Sequence, residues 1–399
     1  MATTIYSDFA LIGKNLDLQE KIFFQVTEEG LIKEITTQRP KNSDITEFKN
    51  TLIVPGFINA HVHIGDSFAK DKGVNLTLSE VVEPPNGLKH RLLRATNKDI
   101  IIQGMRNSFK EMLSSGTTTF VDFREGGPEG ILILKEALED FLIRAFILGR
   151  TPPDFNTPHE ILKMANGVGL SSSNIYTNNE LEMFAIFCLE ASKIISTHVS
   201  ETEEERKIAF DKFKISDIER SIKLLKAELL VHAIHADNKD IELISKNNIP
   251  IVICPRANGY LGAGFPPISA FLKHKISLCL GTDNVMVNSP DLFREMEFLF
   301  KLFRGIGGMN GINTLKSKDI LRMVTINPAK ALRLDHLTGS LEEGKYADFF
   351  VLDLNAPNLI PIENIYDSLI LRAKSENVIA TYLKGRLAYE RCYERCYNS

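Results

Sequence analysis

A chain of 399 residues, 44% hydrophobic and 25% charged with a formal net charge of −4, has ordinary globular composition and no basic stripe of the kind a nucleic acid requires. No apolar run approaches the roughly 20 residues of a membrane helix, and MATTIYSDFALIGKN lacks the charged-then-apolar layout of a signal peptide. The five scattered cysteines (Cys188, Cys254, Cys279, Cys392 and Cys396) predict free thiols in a reducing cytoplasm, with the last two read as part of a frayed tail rather than a zinc clip.

In chain order, the first fifty residues read as short strands: IYSDFALIG, KIFFQVTEEG and LIKEITTQ are apolar or alternating segments divided by turn-forming residues. The end of the chain resumes that texture with ADFFVLDL and VIATYLKGRLAYE, where Lys384 and Gly385 mark a hairpin-like turn. Residues 1–50 and 340–399 are therefore expected to pair as one small β-sandwich. Between them, over 51–339, β-branched runs alternate with helical ones. TLIVPGFINAHVH, TTTFVDF, LIRAFILG, KIISTHVS, AELLVHAIH, IPIVICP and ISLCLGTDN are the strands, and GVGLSSSNIY supplies a weak fourth in sequence order. About eight such strands predict an α/β fold, a parallel (β/α)8 barrel. A doubly wound open sheet is the alternative, but no G-x-G-x-x-G follows the first strand.

Four of these strands end in side chains able to bind a metal. His61 and His63 lie two apart on a strand and so point the same way. Taken alone they are as consistent with two hydrogen-bonded strand histidines. In THVSET, His198 ends a strand and Glu201 follows three residues on, placed for proton transfer beside an ion. The competing reading assigns Glu201 to the acidic first helical turn with Glu203, Glu204 and Glu205. His232 closes the strand in LLVHAIHAD, leaving His235 to the loop. Asp283 ends the last strand in LCLGTDN, where a helix cap is its ordinary alternative. All four features fall at C-terminal strand ends, the face on which barrel enzymes place their chemistry. Three histidines and one aspartate suit one divalent metal ion, Zn²⁺ first and Fe²⁺ second.

These segments (PGFINAHVH, HVSE, LVHAIH, GTD and the late GSLEEGKYADFFVLD) resemble the amidohydrolase superfamily nearly end to end, and within it the mononuclear branch of cytosine, guanine and adenosyl-type deaminases and triazine chlorohydrolases. Binuclear branches match less well, since GVGLSSSNIY offers no bridging lysine. The resemblance implies metal ligands at His61, His63, His198 and Asp283, a proton shuttle at Glu201, and a water-positioning role for His232. It implies hydrolytic attack on an amidine-like ring carbon of a purine, pyrimidine, pterin or nucleoside-like heterocycle, with release of ammonia. It also suggests a homodimer.

Substrate contacts are expected from loops. In CPRANGYLGAG, Arg256, Ala257 and Asn258 stand where related deaminases commonly carry a Ser-Asn pair. Arg256 suits a carboxylate, a phosphate or a carbonyl oxygen, or is a surface arginine. Arg124, Arg150 and Asn284 also lie at or just past strand ends; converging arginines predict an anionic substrate. The long segment GDSFAKDKGVNLTLSEVVEPPNGLKHRLLRAT is a candidate lid, within which Lys89, His90 and Arg91 read as a solvated helix start. Two rival functions remain: hydrolysis of a cyclic amide or displacement of chloride, and a non-catalytic assembly protein retaining the barrel.

Overall fold

The computed structural model describes residues 3–41, 44–151, 158–311 and 315–391; Cys392 and Cys396 lie outside them. The eight expected strand regions of the middle segment form one parallel sheet: Phe57–His63, Thr117–Arg124, Arg144–Gly149, Gly167–Leu170, Ile194–Val199, Leu229–His232, Ile251–Ile253, and a last strand in two pieces, Leu278–Leu280 and Asp283–Asn284. Nearly all their residues are buried, as expected for strands covered on both faces. The two pieces of the last strand close the ring. Leu278–Leu280 pairs with Ile251–Ile253, while Asp283 and Asn284 pair with Val62 and His63 of the first strand. At the break, a Cβ on Gly281 would stand 2.7 Å from the His61 Cβ, so only glycine allows the first and last strands to meet there. The Thr282 N–H then donates to the His61 carbonyl at 3.0 Å.

Helices return the chain between strands. Lys98–Ser114 buries Ile101, Ile102, Met105, Phe109, Met112 and Leu113, a stripe at three- and four-residue spacing. Each such side chain contributes about 1.5–3 kcal/mol by leaving water.

The chain ends build the second sheet. Its seven strands run in the order Arg386–Glu390, Val378–Leu383, Phe349–Asp353, Ile45–Pro55, Thr3–Ile12, Asp17–Val26, Ile32–Thr36. This sheet has its own core of Ile5, Ile22, Phe24, Ile53, Phe349 and Val351, and its edge strand meets the segment leading into Phe349–Asp353: the Ile32 N–H donates to the Lys345 carbonyl at 2.7 Å. One expected segment divides. TLIVPGFINAHVH is not a single strand: its first part belongs to Ile45–Pro55 in the terminal sheet and its second to the barrel. The division falls at Gly56, where a Cβ would stand 2.3 Å from Thr118 Oγ1. A continuous apolar run carries no mark of passing between two sheets, because both sides of the junction are buried. Among the described residues no helix is long and apolar enough to cross a membrane.

Candidate metal centre

The first, fifth, sixth and eighth strands of the barrel bring His61, His63, His198, His232 and Asp283 together at one end, each no more than 6% exposed. Ser200 (φ 43°), His232 (φ 72°) and Asp283 (φ 60°) adopt the left-handed backbone as the chain leaves its strands. Such conformations cost energy and persist where surrounding contacts hold them. At Ser200 the holding group is Asp217, whose carboxylate accepts from the Ser200 N–H and, at 2.6 Å, from its hydroxyl.

The ring nitrogens have their roles set by neighbours. His198 Nδ1 lies 2.9 Å from the Leu170 carbonyl, and His63 Nδ1 lies 2.8 Å from Glu125 Oε1 and 3.3 Å from the Phe123 carbonyl. Carbonyls and carboxylates only accept, so both Nδ1 atoms carry the proton and both Nε2 atoms present lone pairs inward. His61 Nε2 stands 3.3 Å from His198 Nε2 and 3.5 Å from Asp283 Oδ1, and His63 Nε2 is also 3.5 Å from that oxygen. Two nitrogens bound to one zinc at about 2.0–2.1 Å would stand about 3.3 Å apart at the tetrahedral angle. Burial lowers the pKa of all three rings, that of His63 to about 3, so the histidines enter the site neutral, as metal ligands require. The donors fit a divalent cation.

Glu201 and His232 stand beside this set. Glu201 Oε1 is 3.6 Å from His232 Nε2, which is 3.9 Å from Asp283 Oδ2. Burial, with the Asp283 charge added, pushes the Glu201 pKa up to about 8. Glu201 precedes the helix Glu203–Phe213, whose N-cap is Thr202; Glu203, Glu204 and Glu205 form the first turn and Glu201 stays out of it. Asn258 holds its amide nitrogen 3.1 Å from His232 Nδ1. Asp283 is paired in a strand and is not a helix cap.

The residues expected to contact substrate are placed less uniformly. Arg124 is buried under Gly65 and joins Glu125 Oε2 at 3.0 Å and Asp122 at 3.6 Å. Asn284 donates to Asp66 at 2.8 Å. Arg256 turns aside to the Ser289 carbonyl at 3.2 Å and to Glu295 at 3.6 Å, lining a cleft of about 790 Å³ that contains none of the five converging residues. His235 lies in the loop, 3.9 Å from exposed Glu203. Arg150 differs from these: its guanidinium makes no hydrogen bond among the described residues, and its nearest carboxylate, Glu125, is 3.9 Å away. Its charge acts on both His198 and Glu201.

The expected solvated helix start is corrected at one position. Arg91 is exposed, but Lys89 is only 2% exposed, its Nζ 2.5 Å from Glu125. Glu125 is itself buried, yet its carboxyl is held well below the usual range, burial being overcome first by Lys89 and then by His63. Neither Lys89 nor Glu125 has a spacing relation to the histidines. The only sign of Glu125 in the sequence is its place directly after Arg124 in VDFREGG.

A closed (β/α)8 barrel with a histidine–aspartate site for a divalent metal at its C-terminal strand ends defines the chain as a metal-dependent barrel hydrolase. It belongs to the amidohydrolase family, whose model matches residues 52–388, and is a hydrolase acting on carbon–nitrogen bonds. It is 36% identical over 387 residues to a putative aminohydrolase of Methanothermobacter thermautotrophicus, covering 94% of this chain and 96% of that one. It is 30% identical over 370 residues to a 5-methylthioadenosine/S-adenosylhomocysteine deaminase of Pyrococcus horikoshii, covering 86% and 84%. Its fold matches that of the zinc-complexed atrazine chlorohydrolase TrzN from Arthrobacter aurescens with a TM-score of 0.85 at 18% identity, covering 97% and 95%.

Proposed function

We propose that this chain is an aminohydrolase that attacks an amidine-like carbon of a nitrogen heterocycle and releases ammonia. The observation that carries the reading is Glu201, a carboxyl with a pKa pushed up to about 8 and directed at His232 beside four metal-capable side chains. The deaminase names of its relatives support the same substrate class. We assign catalysis to the barrel within 51–339 and the terminal sheet to 1–50 with 340–399, the strand Ile45–Pro55 carrying that sheet five residues past the boundary. From the buried free thiols Cys188, Cys254 and Cys279 we infer a cytoplasmic location, and from the family resemblance a homodimer.

In this reading His61, His63, His198 and Asp283 hold the metal, zinc first, with iron accepting the same donors. A bound divalent metal supplies Lewis-acid activation, lowering the pKa of water to roughly 7. The remaining steps fall to side chains. Glu201, protonated at neutral pH, delivers its proton to the ring nitrogen next to the attacked carbon. With Asn258 donating to Nδ1, His232 carries its proton on Nε2, facing Glu201 and Asp283, and orients the attacking oxygen. Asp283 Oδ2 accepts the proton that oxygen gives up, and Glu201 relays it to the leaving amine. Arg150, with unpaired donors, binds an acidic or carbonyl group of the substrate. The test is ammonia release across a panel of aminated heterocycles and nucleosides with protein of measured metal content. Release of chloride from a halogenated ring without ammonia from any aminated one overturns deamination in favour of displacement. Protein without stoichiometric metal, inert on the whole panel, favours the non-catalytic reading.

A further inference from the structure

The segment that follows the first barrel strand is joined to that strand's own metal-capable histidine by a side-chain bridge. Its helix Leu88–Ala95 carries Lys89, whose ammonium is withdrawn from water and set 2.5 Å from Glu125 Oε1. The same oxygen stands 2.8 Å from His63 Nδ1. Glu125 is the first residue past the strand Thr117–Arg124, so its backbone is anchored in the barrel, and Arg124 Nη2 holds its other oxygen at 3.0 Å. One carboxylate therefore touches both the candidate lid and the ring. A carboxylate on the far nitrogen of a ligand histidine fixes its tautomer and raises its basicity. A buried ammonium is stable only against such a partner, so Lys89 and Glu125 hold each other in place.

We propose that Lys89 and Glu125 form a latch, Lys89 acting through Glu125 to lock the covering segment down and fix the His63 ring for metal binding. Both are positioning residues. The proposal rests on His63 being a metal ligand, as the proposed function requires. When the segment lifts, Lys89 leaves Glu125, and the restraint on His63 loosens with it; closure over the pocket and tight metal holding are then one event.

The test uses the zinc-loaded full chain, following zinc transfer to a chromogenic chelator and hydrogen exchange over residues 70–96. Glu125→Gln is expected to release zinc about 10–100-fold faster than wild type. Lys89→Met moves release in the same direction, and both speed exchange across 70–96. The double variant releases zinc no faster than Glu125→Gln alone, since Lys89 acts through Glu125. Lys89→Arg restores slow release. Lys89→Gln stands in if Lys89→Met does not fold. Additive effects in the double variant overturn the latch, as do wild-type release and exchange in both single variants. Wild-type protein that holds no zinc instead overturns His63 as a ligand, and the latch with it.

Discussion

The five converging residues of the site and the expected substrate contacts around them are built by different rules. His61, His63, His198, His232 and Asp283 converge in overlapping groups of three whose ligand atoms lie within 4.8 Å of one another, because each side chain's direction follows from strand pleating and barrel closure. Around them, Arg124, Asn284 and Arg256 are each turned to an internal partner, Glu125, Asp66 and Ser289, whereas the Arg150 guanidinium makes no hydrogen bond among the described residues. Strand pleating directs the five converging side chains, whereas Arg124 and Asn284 at strand ends and Arg256 in a helix take whichever partner the fold brings to them.

The sharpest way to break this contrast is Glu201→Gln. Turnover should fall about 100- to 10,000-fold while zinc content by metal analysis stays at the wild-type level; full activity in this variant would remove Glu201 from the chemistry. Next in size is Asp217→Ala, which strips the acceptor from the Ser200 N–H and hydroxyl. A loss of about 1–3 kcal/mol is expected in denaturant unfolding, with a lower kcat because Glu201 follows Ser200 directly. Unchanged stability would mean that the left-handed turn holds without Asp217.

The loop contrast is tested by a pair of variants on the best substrate found. Arg150→Met should raise KM about 10–100-fold, the worth of a charged hydrogen bond, whereas Arg256→Ala should leave KM near wild type and lower the melting temperature. Equal KM effects would erase the distinction between them.

A further effect, confined to a pH range, is expected at Glu295, which is fully buried and whose pKa burial raises to about 7. The folded state binds this proton more tightly than the unfolded chain, whose glutamate titrates near 4.5. The group's stabilising contribution is thus complete below about pH 4.5 and declines as pH rises through about 7. Melting curves from pH 5 to 8 should show wild type losing on the order of 1–3 kcal/mol relative to Glu295→Gln. Parallel pH profiles for the two proteins would remove Glu295 as the cause.

Legibility followed the same divide. The spacing of His61 and His63 and the apolar runs ending in His198, His232 and Asp283 were visible because strand alternation translates directly into side-chain direction. The acidic run after His198 is harder: Glu201 and Glu203 differ in setting because Thr202 caps the helix between them, and a capping threonine is itself readable. Gly56 was legible as a glycine but not as a crossing between two sheets, since burial hides the change of partner. In the sequence Lys89 reads as solvated because a basic cluster at a helix start is usually exposed; its burial depends on Glu125, 36 residues further on.

By itself, the sequence determined the alternation of strands and helices, and with it the barrel and the set of metal-capable side chains at strand ends, because those follow from local periodicity. Only the tertiary structure decided which nitrogen of each histidine faces inward, which arginines are already partnered, and that a lysine of the covering segment reaches the carboxylate behind His63. Those outcomes depend on contacts between residues far apart in the chain, formed in a buried setting where an unpaired charge or donor is costly, and no local pattern encodes them.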